Sequence, residues 1–329
     1  MLTGAESTRP GRNCTVQMTI CAAAILLVSL WGCRRNQPPG TTGPTIALAL
    51  KTLNNPYYID MQKGAELAAR TLGVNLIVQA PEREVDVEKQ MQIIENLIQR
   101  KVDAICLAPC GSREIVPGIV KANRARIPVL IVDTRVDAAS LARAGGRVAT
   151  FIGSDNFEGG RLAGAYLLEA LGQKGKVAIL EGIPGHETSD ERTRGFRQAI
   201  SSAPAIEIVA FQTANWERDQ GFNVFQNILQ SHPQVQALFA CNDMMALGAI
   251  EAIAAAGKAG RIIVVGFDAV TDARQAIRNG TMAASVAQHP DVTGKLVIEN
   301  ACRVLKGQSI PEYIPVKLEL ITRGNVDRL

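Results

Sequence analysis

The chain has 329 residues, which is enough for two hydrophobic cores, because single cores stop growing beyond about 250 to 300 residues. Its 47% hydrophobic and 20% charged residues are typical of a globular α/β protein. The net charge of +4 is carried by interspersed side chains, so we expect no nucleic acid partner.

Residues 1–32 are predicted to be a secretory signal peptide. Residues 20–31 form an apolar run after Arg9 and Arg12, and such a run is typical of a signal peptide and too short to span a bilayer comfortably. Cys33 follows in a pattern that resembles the lipobox of bacterial lipoproteins, in which the cysteine carries the lipid. Residues 33–44 then form a proline- and glycine-rich tether. We expect secretion to the periplasm or cell surface with a lipid anchor to the membrane at Cys33, and plain secretion is the alternative.

From Thr45 onward, short apolar runs alternate with amphipathic segments, which predicts repeated βα units and parallel sheets. In the first half the predicted strands are 45–51, 75–79, 104–107, 129–133 and 151–153. The predicted helices between them are 56–71, 85–100 and 113–125.

A second set of βα units follows residue 153. It contains a helix over 158–171, a strand over 176–181, a helix over 188–202, and strands near Val209, Leu238 and Val264. Residues 291–305 are predicted to be helical, and the alternation in 315–321 predicts a final strand. Two similar sets of this size predict an α/β fold of two doubly wound, Rossmann-like lobes.

Polar and aromatic side chains follow the predicted strands at their carboxyl ends. Ligands bind beyond these ends in open α/β sheets, so we expect the side chains to converge on one crevice. The aromatic rings suit the C–H faces of a sugar, and the carboxylates, amides and cations suit its hydroxyl rim. The sequence therefore predicts a binding site for a small polyhydroxylated molecule.

Several of these side chains have a simpler structural explanation when taken singly. Asn242 could be only a helix N-cap, and Phe267 could be core packing. Asp133 could be a helix cap or a surface residue, and Arg192 could lie on the solvated face of a helix. The binding interpretation depends on the positions occurring together and in order.

The ordered set of motifs resembles the periplasmic sugar-binding proteins of ABC importers, a type I periplasmic binding protein family, and its ribose- and allose-binding branch in particular. The motifs are 51–58 (KTLNNPYY), 153–156 (GSDN), 191–192 (ER), 242–248 (NDMMALG), 264–268 (VVGFD) and 287–288 (AQ). The resemblance extends from Thr45 to the C-terminus.

The resemblance implies two lobes that close on a ligand by a hinge of three crossings, near Ser154, His289 and residues 315–317. The N-terminal lobe would comprise 45–153 with 290–316, and the C-terminal lobe 154–289 with 317–329. It further implies a monomer that captures a ribose- or allose-like monosaccharide or a polyol and delivers it to a membrane permease, without a cofactor.

The family's ligand contacts fall on eleven positions of this sequence. They are Lys51, Asn55, Tyr57, Tyr58, Asp133, Arg192, Trp216, Asn242, Phe267, Asp268 and Gln288. Lys51 matches the lysine of the allose type. Thr134 departs from both branches, since the ribose type has arginine there and the allose type an acidic residue.

Other functions are less compatible with the sequence. It contains no phosphate-binding glycine motif and no nucleophile elbow, so we do not expect an enzyme. A sensor of the lactose-repressor type would need a helix-turn-helix where this chain has an apolar run, whereas a sugar sensor for a chemoreceptor or kinase stays open. Cys106 and Cys110 lack a second ligand pair, so no metal site is expected.

Overall fold

The computed structural model describes residues 43–328; the predicted signal peptide, Cys33 and nearly all of the predicted tether lie outside this range. The described chain forms two α/β lobes, as predicted, and each lobe is built on a sheet of six strands. The N-terminal lobe contains β1 (Thr45–Ala49), β2 (Asn75–Gln79), β3 (Ala104–Leu107), β4 (Val129–Val132), β5 (Phe151–Gly153) and β11 (Tyr313–Pro315). The C-terminal lobe contains β6 (Lys174–Glu181), β7 (Ala205–Thr213), β8 (Ala237–Ala240), β9 (Ile263–Asp268), β10 (Ala284–Ala287) and β12 (Glu319–Thr322).

Both sheets are doubly wound. The strand order is β11-β5-β4-β3-β1-β2 in the first sheet and β12-β10-β9-β8-β6-β7 in the second, and β12 pairs antiparallel with β10. The order reverses beside β1 in one lobe and beside β6 in the other, and such switch points are where open sheets bind ligands. Strands β3, β4, β8 and β10 are buried at every position, because helices cover both faces of a parallel sheet.

Helices flank each sheet. Those of the N-terminal lobe are α1 (Pro56–Leu72), α2 (Val87–Gln99), α3 (Val116–Arg124), α4 (Ala138–Arg143) and α10 (Pro290–Leu305). Those of the C-terminal lobe are α5 (Asn156–Ala170), α6 (Glu187–Ile200), α7 (Arg218–Ser231), α8 (Asp243–Ala255) and α9 (Thr271–Asn279). A short 3-10 helix, Val326–Arg328, ends the described chain. No helix within residues 43–328 is long and apolar enough to cross a membrane.

The start of α1 is fixed by its own sequence. The Asn55 side chain accepts a hydrogen bond from the Tyr57 N–H at 3.0 Å, and Pro56 occupies the first helical position, where its missing N–H costs nothing. The helix ends at Gly73, whose φ of 68° is left-handed. This cap holds Asn55, Tyr57 and Tyr58 beside the carboxyl end of β1.

A close helix contact fixes the position of α6. A Cβ atom on Gly160 of α5 would lie 2.0 Å from the carbonyl oxygen of Arg192, so only glycine fits there. The two helices therefore approach each other at the backbone of Arg192. This contact sets where the Arg192 side chain begins.

The chain passes between the two lobes three times: between β5 and α5, between β10 and α10, and between β11 and β12. The single final strand predicted over 315–321 is wrong. Tyr313–Pro315 pairs with β5 in the first sheet, and Glu319–Thr322 pairs with β10 in the second. The pairing of the first strand ends with the Val316 N–H, which donates to the Gly153 carbonyl oxygen at 3.0 Å, and the third crossing separates the two strands.

Candidate functional site

A small cavity lies between the carboxyl ends of the two sheets. Its walls are Lys51, Asn55, Tyr57, Tyr58, Glu84 and Asp133 from the N-terminal lobe and Thr188, Arg192, Trp216, Asn242, Asp268 and Gln288 from the C-terminal lobe. All the predicted ligand residues except Phe267 are therefore brought together around one cavity. Sequence reasoning did not identify Glu84 and Thr188.

Lys51 is the centre of a polar network in the N-terminal lobe. Its Nζ lies 3.0 Å from Asp133 Oδ2 and 3.9 Å from Glu84 Oε2, and it donates a hydrogen bond to Thr134 Oγ1 at 2.6 Å. Burial by itself lowers the pKa of Lys51, but the carboxylates of Asp133 and Glu84 outweigh it and raise the pKa above its ordinary value. Lys51 is therefore charged, and at least two of its three donors are used within the protein.

Asp133 is held as a carboxylate by this network. Burial raises its pKa, but Lys51 and Arg192 outweigh this effect and lower the pKa below its ordinary value. Tyr58 donates its hydroxyl proton to Asp133 Oδ2 at 3.1 Å. The backbone of Asp133 is left-handed, with φ of 64°, and such a conformation persists only where its surroundings fix it. Asp133 is thus a preorganised acceptor on the cavity wall.

Glu84 is a second buried carboxylate on the same wall, with weaker partners. Its oxygens lie 3.3 Å from Asn55 Nδ2 and 3.5 Å from the Tyr58 hydroxyl, which are long hydrogen bonds. Burial raises the pKa of Glu84 to about 7, although Lys51 opposes the rise. Glu84 therefore has acceptor capacity that the protein does not fill.

Arg192 dominates the wall of the C-terminal lobe. Only 3% of the residue is exposed, so it does not lie on a solvated face. Its Nε donates to Asn156 Oδ1 at 2.9 Å, and its Nη1 donates to the Cys241 carbonyl oxygen at 2.6 Å. The centroid of the Phe267 ring lies 3.7 Å from the guanidinium carbon of Arg192. Phe267 therefore supports Arg192 by a cation–π contact and does not line the cavity.

Asp268 and Gln288 form a hydrogen-bonded pair beside Arg192. Gln288 Nε2 donates to Asp268 Oδ1 at 2.7 Å, and Arg192 Nη1 lies 3.7 Å from the same oxygen. Burial raises the pKa of Asp268, and Arg192 opposes this rise. Together with Arg192, the pair provides an acceptor, a donor and a cation within one small region of the wall.

Asn242 and Trp216 position each other. The Asn242 side chain caps α8 by accepting from the Met245 N–H at 2.9 Å, and its Nδ2 donates to the Trp216 carbonyl oxygen at 3.1 Å. Asn242 is thus both a helix cap and a wall residue. Trp216 has a left-handed φ of 68°, and its ring packs so closely on Gly182 that a Cβ there would lie 2.0 Å from it. Among the described residues the buried Nε1 of Trp216 has no hydrogen-bond acceptor.

The two wall residues that the sequence analysis missed follow the same pattern as the others. Ligand-binding side chains come after the carboxyl ends of strands, and we call this pattern the strand-end rule. Glu84 lies in the loop after β2, and Thr188 lies in the first turn of α6 after β6. Each is one of several polar residues in its connection. The rule indicates these loops but not which side chain of each loop faces the cavity.

Comparison with known proteins identifies the family. Residues 46–309 match the family described as "Periplasmic binding protein domain". The chain belongs to this periplasmic binding protein family. The ribose import binding protein of Bacillus subtilis (strain 168) is 38% identical over 279 residues, which are 85% of this chain and 87% of that protein. The D-allose-binding periplasmic protein of Escherichia coli (strain K12) is 36% identical over 284 residues, which are 84% of this chain and 91% of that protein.

A solved structure of the same periplasmic binding protein fold is also similar over most of the chain. It is the periplasmic solute-binding protein of an ABC transporter from Actinobacillus succinogenes 130z, with bound D-allose. The TM-score is 0.82 at 39% sequence identity, covering 87% of this chain and 100% of that chain. This similarity supports the two-lobe fold and the resemblance of the sequence motifs to periplasmic sugar-binding proteins.

Proposed function

We propose that this protein captures a neutral monosaccharide of the ribose or allose type, or a polyol, between its two lobes and delivers it to the membrane permease of an ABC importer. The observation that carries the proposal is the single cavity lined by predicted ligand residues from both lobes. Similarity to ribose and allose binding proteins supports the same ligand class.

The lining chemistry suits a ring of hydroxyl groups. Asp133, Asp268 and Glu84 accept, Arg192 donates, and the amide side chains do both. Hydrogen bonds to charged groups contribute about 1.5 to 3 kcal/mol each. Four or five of them, less the ordering costs, reach the roughly 8 kcal/mol of a micromolar complex. This account needs binding alone, and we assign the protein no catalytic step.

The cavity walls imply that ligand enters when the lobes separate. The wall residues Lys51, Asp133, Arg192 and Asp268 are each at least nine-tenths buried, so the described conformation is closed around the cavity. We place the boundaries of the two lobes at the crossings after Gly153, before Pro290 and after Val316. Since ligand contacts both lobes only when they are closed, it favours the closed state.

A thermal-shift screen of pentoses, hexoses and polyols tests the proposed function. A sugar that binds only the native protein, present at a concentration of about a hundred times its Kd, stabilises the protein by about 2.7 kcal/mol and raises the Tm. We expect at least one sugar or polyol to raise the Tm and amino acids at equal concentration to leave it unchanged. If no member of the carbohydrate panel shifts the Tm at millimolar concentration, the proposal is wrong.

We further infer that the protein works as a monomer in the periplasm or at the cell surface, held there by lipid on Cys33. The inference is supported by the apolar run and cysteine of the N-terminal sequence and by the family's similarity to periplasmic proteins. Two or more acyl chains anchor a protein stably, because each buried methylene contributes about 0.8 kcal/mol.

Mass spectrometry of the membrane fraction tests the anchor. We expect a mature protein that starts at Cys33 and carries acyl chains, and a Cys33→Ala variant should be lost from the membrane fraction. Recovery of the wild-type protein as an unmodified soluble form would refute the anchor and leave the binding proposal intact.

A further inference from the structure

A buried hydroxyl pair joins the two lobes beside the cavity. Thr134 of the N-terminal lobe and Thr188 of the C-terminal lobe place their Oγ1 atoms 2.7 Å apart. Thr134 is 0% and Thr188 3% exposed. Other polar contacts between the lobes include the ion pairs Arg83–Glu217 and Arg135–Glu187, whose side chains are all more than a quarter exposed. Exposed ion pairs contribute little, whereas a hydrogen bond in a buried, low-dielectric region is electrostatically stronger.

The pair is connected directly to the cavity wall. Lys51 Nζ donates to Thr134 Oγ1 at 2.6 Å and lies 3.0 Å from Asp133 Oδ2. Thr134 Oγ1 also lies 3.1 Å from that same carboxylate oxygen. A chain of short contacts therefore runs from Asp133, which lines the cavity, through Thr134 to Thr188 on the opposite lobe. We call this chain of three residues the relay.

The proton count makes the contact dependent on closure. The Thr134 hydroxyl has one proton and already accepts from Lys51. It can donate to Asp133 while Thr188 donates to it, or it can donate to Thr188 itself. In both arrangements Thr188 completes the network, and separating the lobes removes that partner.

We propose that Thr134, held in place by Lys51, acts as a positioning residue that couples Asp133 to lobe closure through its contact with Thr188 of the cavity wall, and so slows the release of the ligand. The inference rests on the proposed function. Thr134 does not line the cavity, so its contribution to binding must act through its neighbours. Because the apparent affinity scales with the population of the competent closed state, losing the pair weakens binding without removing a ligand contact of Thr134.

Dissociation kinetics of variants test the relay, with the sugar from the screen as the probe. Thr134→Val keeps the shape of the side chain and removes the hydroxyl. We expect its dissociation rate to rise at least about tenfold, the equivalent of one buried hydrogen bond, with an association rate within about twofold of wild type. Thr188→Val removes the same pairing and also a wall hydroxyl, so its release should be at least as fast, and the double variant should release sugar no faster than Thr188→Val alone.

Conservative and matched variants serve as controls. Thr134→Ser and Thr188→Ser retain the hydroxyl and should restore slow release, which a purely steric role would not predict. Thr193→Val removes a hydroxyl that bonds only within α6, to the Asp190 carbonyl oxygen, and should leave both rates unchanged. Circular dichroism confirms that each variant is folded, and Thr134→Ala, which also removes the hydroxyl, takes the place of Thr134→Val if that variant does not fold.

The outcomes separate this inference from the proposed function. If no sugar binds the wild-type protein, the proposed function is wrong and the relay with it. If sugar binds the wild type but Thr134→Val releases it at the wild-type rate, the relay alone is wrong. Effects of the two valine substitutions that simply add in the double variant would also overturn it.

Discussion

Two buried carboxylates on one wall have opposite pKa shifts, and their partners explain the difference. Asp133 lies 3.0 Å from Lys51 Nζ, and the charges of Lys51 and Arg192 outweigh burial and lower its pKa. Glu84 has only contacts of 3.3 to 3.9 Å, and burial raises its pKa to about 7. Burial therefore opposes the ionisation of Glu84, whereas Asp133 on the same wall is held as a carboxylate.

The raised pKa of Glu84 has a consequence for stability. Since the pKa rises from 4.5 in the unfolded chain to about 7 in the native protein, the native state binds more protons over that interval. The contribution of Glu84 to stability is fully present below pH 4.5 and is lost as the pH rises through 7. The charged groups that face it, Lys51, Asp133 and Glu217, are included in this shift.

Glu84→Gln should therefore change how stability depends on pH in the ligand-free protein. The amide cannot ionise, so we expect the Tm of the variant to exceed that of wild type by about 2 °C or more at pH 8 relative to pH 5. Asp243 and Asp268 also have raised pKa values, but both are present in the two proteins and cancel in the difference. Thermal melting followed by circular dichroism measures it.

An exposed glutamate provides the control for this measurement. Glu88→Gln, in the first turn of α2, removes the same charge from a solvated position and should give a Tm difference that is nearly independent of pH. A Tm difference between Glu84→Gln and wild type that stays constant from pH 5 to pH 8 would show that Glu84 titrates as an ordinary surface carboxylate.

The alternation of apolar runs and amphipathic segments predicted the βα units because each parallel strand is covered on both faces. The failures have local causes. Helix α4, which caps itself with Asp137, has six residues, too few for a helical period to emerge. The pattern in 315–321 continues across two short strands of different sheets, and alternation carries no information about which sheet a strand joins.

The strand-end rule predicted most of the cavity wall, and its errors are also physical. Phe267 and Asp268 are adjacent at the end of β9, and successive strand residues point to opposite faces, so only one of them lines the cavity. Glu84 and Thr188 lie in polar connections where the sequence offers several equivalent side chains. The packing of the two lobes determines which of these side chains faces the cavity. The sequence of a single strand or helix does not predict that packing.

The cavity of the whole molecule forms where the switch points of the two sheets face each other. Each lobe alone would expose buried ions, because Lys51 and Asp133 lie on one side of the cavity and Arg192 and Asp268 on the other. In the closed conformation these groups are nearly excluded from water, where hydrogen bonds to a ligand are stronger. We therefore expect closure and ligand binding to be coupled, with both lobes contributing to affinity.

Calorimetric titration of the sugar found in the screen tests this claim most directly. Arg192→Ala and Asp268→Ala each remove a buried wall residue and should weaken binding at least about tenfold. Arg194→Ala, which removes an exposed arginine from the same helix, should stay within about twofold. Circular dichroism of the same samples verifies folding. Wild-type affinity in both Arg192→Ala and Asp268→Ala would contradict the account, because the sugar would then bind elsewhere.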